Sequence, residues 1–67
     1  MDLKKLNKCI DDSRIPIAAI AEELGLSRQS LYLKLSGERD FKSSEVTKLS
    51  KMLRLTDEEK LSIFFAA

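Results

Sequence analysis

The stretch Ile17–Ser36, IAAIAEELGLSRQSLYLKLS, decides how the rest of the chain is read. In its first half Ile17, Ile20, Ala21 and Leu24 fall on one helical stripe, with Glu22 and Glu23 off it. Gly25 then supplies a residue that takes positive φ without a Cβ clash and ends the helix. Leu26 is apolar within a turn, placed to tuck under both helices. Ser27 is a preferred N-cap, and the helix it opens buries Leu31 and Leu35 one turn apart. Gly-Leu-Ser is too short for anything but a tight turn, and Ala21 is small where a second helix must cross closely. These offsets predict two short helices crossing steeply.

Such a pair is a helix-turn-helix, here spanning about residues 17–36. Ala21-Glu-Glu-Leu-Gly-Leu-Ser-Arg-Gln-Ser-Leu31, followed by Lys34-Leu-Ser-Gly37, resembles the Cro and C-repressor (XRE-type) family of small phage and bacterial regulators. The flanking helices fit too, so the likeness covers nearly the whole chain. It implies an all-α fold: one lambda-repressor-like DNA-binding domain over residues 1–67, built as a compact bundle of five short helices. It also implies a sequence-specific transcriptional regulator from a phage or mobile element, acting as a homodimer on a two-fold, double-stranded DNA operator. An ordinary helical hairpin with a glycine turn shares the small and apolar positions. What it does not require is a second helix that starts Ser-Arg-Gln.

Composition narrows the function classes. At 67 residues the chain holds one small core, near the lower size at which domains fold unaided. One cysteine excludes an internal disulfide, and the absence of histidine removes the commonest general base and metal ligand. No metal site, cofactor or catalytic constellation is expected, and an enzyme is the most distant reading. With 43% hydrophobic and 34% charged residues, no apolar run of membrane-spanning length and no signal-peptide core, the expectation is a cytoplasmic protein without membrane contact.

A net charge of +1 is far from the strongly basic balance of many DNA-binding domains. The distribution is more informative. Between Ser27 and Ser44 the basic residues Arg28, Lys34, Arg39 and Lys42 outnumber Glu38 and Asp40, and the acidic residues lie mostly elsewhere. A dimer doubles that basic footprint. The same balance suits a surface that meets another protein.

Before the motif, Leu3, Leu6 and Ile10 predict a first helix over Met1–Asp12, with Asp2 at the positive end of its dipole. Cys9 reads as a small packing residue. Pro16 belongs at the start of the second helix. After the motif, Gly37 is the expected residue past the helix end, and Phe41 the anchor of the following loop. Ser43 or Ser44 is expected to cap a fourth helix carrying Val46, Leu49, Met52 and Leu53. Thr56-Asp-Glu-Glu59 is a capping box whose loss costs roughly 1 kcal/mol. The fifth helix, running to about Phe65, is expected to turn Leu61 and Phe64 inward with the stem of Lys60. Ile63 and Phe65 cannot all join them at about 100° per residue. Apolar surface left over at Ile63, Phe64 or Phe65 is either the lid of the core or a dimer or partner interface.

With Arg28 at zero on the third helix, Leu31 and Leu35 fall near 300° and 340° and define the buried side, at about 100° per residue. Gln29, Tyr32, Leu33 and Ser36 fall on the opposite half, with Arg28 at its border. The expected base-reading set is Arg28, Gln29, Tyr32 and Leu33. Arg28 matches guanine O6 and N7, Gln29 matches adenine N6 and N7, Tyr32 offers its ring to a thymine methyl or its hydroxyl to a phosphate, and Leu33 suits a thymine methyl or, against a protein, a buried anchor. Ser27, Lys34, Ser36, Arg39 and Lys42 are the expected phosphate-backbone contacts. A cation in the first turn opposes the helix dipole, which favours a functional reason for Arg28. Gln29 and Ser36 fit a merely solvated face equally well.

Two departures from the family pattern stand out. Ile17 occupies the start of the second helix, where many relatives carry a polar residue that touches DNA. Lys34 stands three after Leu31, where an apolar residue is common, which implies a slightly rotated third helix. The first of these departures, together with near-neutral charge and the outward Leu33, supports an alternative: an antirepressor or modulator that binds a partner repressor protein through the same fold.

Overall fold

Asp2 stands just outside the first helix as its cap, its carboxylate accepting the Lys5 amide at 3.1 Å. Helix α1 therefore runs Leu3–Ser13, starting later than the spacing alone suggests. It is followed by α2 (Ile17–Leu24), α3 (Arg28–Leu35), α4 (Ser43–Met52) and α5 (Asp57–Phe64). These helices come from a computed structural model that describes residues 1–65, and among the described residues there is no strand. The body measures 28 × 23 × 20 Å. No described helix is long and apolar enough to cross a membrane.

Each helix contributes one of the largest fully buried side chains: Leu6, Ile20, Leu31, Leu49 and Ile63. Burying a side chain of this kind is worth about 1.5–3 kcal/mol, so no single helix dominates the core. Helix α2 packs against both α3 and α4, while α1 touches α3 and α5. Ile17, Leu26 and Phe41 are half-buried against the same core, so the turn leucine and the loop phenylalanine act as anchors.

Three helices end on the same backbone device. Gly25 at φ +70° donates its amide to Glu22 O at 3.1 Å, and the Leu26 amide reaches Ala21 O at 2.8 Å. Gly37 at φ +90° repeats this with Lys34 O and Leu33 O. This paired closure satisfies carbonyls that the last turn would otherwise leave unpartnered. The third example, at the end of α4, puts Arg54 at φ +52° in the glycine position. Arg14, at φ +60°, likewise follows α1. Neither arginine announces itself in the sequence as a left-handed residue.

Two expectations for the later helices need correction. Helix α4 is not capped by Ser43 or Ser44: Ser43 is already helical, Lys42 is the cap residue, and the Glu45 carboxylate accepts the Lys42 amide at 2.8 Å. In α5, Leu61 is 61% exposed and Ile63 only 1%. The inward face consists of Lys60, half-buried, with Ile63 and Phe64, a set spaced i, i+3 and i+4. The Asp2 amide donates to the Ile63 carbonyl at 2.6 Å, and the Lys5 ammonium donates to the Ser62 hydroxyl. Those contacts with α1 accompany the rotation that turns Leu61 outward.

Candidate nucleic-acid interface

Helix α3 is held from three sides. Leu31 and Leu35 sit in the core, and the Asn7 side-chain amide donates to both Leu3 O (2.8 Å) and Leu35 O (3.3 Å), joining α1 to the end of α3. At its start the Ser27 hydroxyl accepts the Ser30 amide at 3.1 Å. The Ser27 and Ser30 hydroxyls also lie 3.0 Å apart in a hydrogen bond.

So held, α3 turns one face outward. Arg28, Gln29, Tyr32, Leu33 and Ser36 line a single open hollow together with Glu38. Arg28 and Gln29 are exposed, and Tyr32 is 56% exposed. Leu33 is half-buried yet does not pack on the core, so its cover comes from neighbours on the surface itself. A cation at one end, a carboxylate at the other and an apolar centre make this hollow able to meet hydrogen-bond acceptors, donors and methyl groups at once.

The residues expected along the phosphate backbone do not form one set. Lys34 is the clear correction. It is only 7% exposed, and its ammonium lies 2.5 Å from Glu45 Oε1 on α4. Near 240° on the helical wheel it stands about 60° from Leu31, within the buried half, so the periodicity held the signal that it points inward. Ser27 is engaged as a cap. The Ser36 hydroxyl donates to Leu33 O at 3.0 Å and has Glu38 Oε2 at 3.4 Å, an environment unfavourable to a phosphate. Arg39 is exposed but lines a separate hollow with Met1, Leu3, Lys34, Gly37, Asp40 and Phe41. Lys42 is exposed at the start of α4.

Of the residues expected at a dimer or partner contact, Ile63 and Phe64 belong to the core, because the face they share is the one α5 buries. Phe65, 71% exposed, remains outside with Leu61.

The Lys34–Glu45 pair dominates the local electrostatics. Burial pushes the Glu45 carboxyl up, but the hydrogen bonds from Lys34 and from the Lys42 amide outweigh it and leave the group below its ordinary value of 4.5. Elsewhere, burial first, then Glu59 and Asp12, raise the Cys9 thiol above its ordinary value, which suppresses its thiolate. Among the described residues, no three or more Cys, Asp and Glu side chains gather as metal ligands.

No family model matches the chain, and no curated protein or solved structure is significantly similar to it.

Proposed function

We propose that this chain is a helix-turn-helix regulator of the Cro and repressor type, a lambda-repressor-like domain that reads double-stranded DNA with α3 in the major groove. The observation that carries this reading is the outward pair Arg28 and Gln29 at the start of a helix seated on Leu31 and Leu35. Arg28 is placed for a guanine, Gln29 for an adenine, and Tyr32 and Leu33 for a thymine methyl. Lys42 and Arg39 are left as the backbone contacts. Two copies bind one operator, and Phe65 with Leu61 is the apolar surface available for their contact. The work is binding and not catalysis.

The test is selection from a random duplex pool, followed by competition binding. Arg28→Ala should relax the preference at one base pair at a cost of about 1–3 kcal/mol. A pool that enriches no sequence over random DNA would overturn the reading. The second reading, a modulator that binds a partner repressor, is favoured by the withdrawal of Lys34 from the surface and by the apolar centre at Tyr32 and Leu33. Light scattering with and without a co-encoded repressor separates the two.

A further inference from the structure

In the sequence Glu38 is only an offset to its basic neighbours, but the fold gives it a definite place. It follows Gly37 in the turn that ends α3, and its amide donates to Leu33 O at 3.0 Å, with the Arg39 amide on the same carbonyl at 3.2 Å. Its backbone is thereby fixed to the last turn of the helix that carries the hollow. The side chain is exposed and lines the same hollow as Arg28. Among the described residues its carboxylate meets one polar group, the Ser36 hydroxyl at 3.4 Å, and no cation pairs with it. An unpaired carboxylate on a surface facing a polyanion is unfavourable unless the ligand offers it a donor.

We propose that Glu38 is a specificity-determining residue whose carboxylate accepts a hydrogen bond from the N4 amino group of a cytosine in the major groove. The inference rests on the DNA-reading function above and deepens it. An ionised carboxylate only accepts. Guanine presents two acceptors there, thymine an acceptor and a methyl, and adenine an acceptor beside its amino group. Cytosine is the one base whose own major-groove edge carries a donor and no acceptor. Helix α3, eight residues long, advances about 12 Å at roughly 1.5 Å per residue. Glu38 lies beyond the far end of that helix, so the cytosine belongs to a different base pair from the one read by Arg28.

The test uses the full chain in random-pool selection and competition binding, comparing wild type with Glu38→Gln and Glu38→Ala. Both substitutions leave the anchoring backbone bonds in place, and thermal melts report whether the fold is kept. Wild type should prefer cytosine at that pair by about 5-fold or more, the lower end of the usual cost of one mismatched pair. Glu38→Gln should move the preference to adenine, since an amide offers a donor and an acceptor together. Glu38→Ala should abolish the preference at that pair alone, while binding to DNA of any sequence tightens. Unchanged preference at that pair in both variants, whether or not overall affinity changes, or preferences lost equally at every pair, overturns the proposal and leaves the regulator reading standing. A wild-type chain with no sequence preference overturns both.

Discussion

A single oxygen of Glu45 does two jobs. Oε1 accepts the Lys42 amide at 2.8 Å, which caps α4, and the Lys34 ammonium at 2.5 Å, which pins α3 to α4. Both side chains are under 10% exposed (8% and 7%), so removing one partner leaves a charge with little solvent to receive it. Breaking such a pair costs about 3–5 kcal/mol. A chain of this length has a total stability of about 3–10 kcal/mol, so Lys34→Met should leave the fold marginal. Lys34→Met/Glu45→Gln should recover much of the loss, because no buried charge remains and the amide still accepts from Lys42. Urea melts of the two variants check this. The pH dependence follows from the same group. With its folded-state value held below the ordinary 4.5, Glu45 contributes stability that is complete above that value and lost as pH falls through the folded value. The double variant should lack that share of the acid-side loss, which melts repeated between pH 6 and roughly pH 3 will show. The periodicity allowed Lys34 an inward place, but lysine is almost never buried unpaired. Its acceptor lies eleven residues away in another helix, so residue type alone argued for the surface.

Among elements, the turns were the most legible and the faces of the last helix the least. Gly25 and Gly37 are read from local chemistry, since a chain that must turn left-handed after a helix selects glycine. They differ in what surrounds them. A Cβ at Gly25 would meet nothing within 4 Å, whereas one at Gly37 would stand 3.1 Å from Leu3 Cδ1. Gly25→Ala should therefore cost only the left-handed backbone penalty, about 1–2 kcal/mol, and Gly37→Ala more. Arg54 gives the reverse experiment. It holds φ +52° with an exposed side chain, so Arg54→Gly should stabilise by up to about 1 kcal/mol, relief of the backbone exceeding the added freedom of the unfolded chain. Thermal melts of all three place them in order. The exposed Leu61 was not legible, because two stripes on α5 were each apolar enough to be buried. The choice between them is associated with long-range bonds from Asp2 and Lys5 that no local pattern encodes.

For the molecule as a whole, under the proposed DNA-reading function, the burial of Lys34 changes how strongly binding can respond to salt. Three cations of the expected backbone and reading sets remain exposed, Arg28, Arg39 and Lys42, and Arg39 lines a different hollow from Arg28. Each phosphate neutralised contributes about −0.9 to the slope of log K against log salt. The two backbone contacts per chain, Arg39 and Lys42, then give a slope of roughly −2, or about −4 for two chains on one operator. Lys42→Gln should flatten the slope by about 1 per chain while weakening all sequences alike. Lys34→Met/Glu45→Gln should leave it unchanged, since the ammonium it removes is already neutralised inside the fold. Fluorescence anisotropy across roughly 50–200 mM salt measures both. A slope that flattened in the double variant as in Lys42→Gln would place the Lys34 ammonium on phosphate. The buried pair would then have to open on binding, and α3 would have to leave the position in which Leu31 and Leu35 hold it.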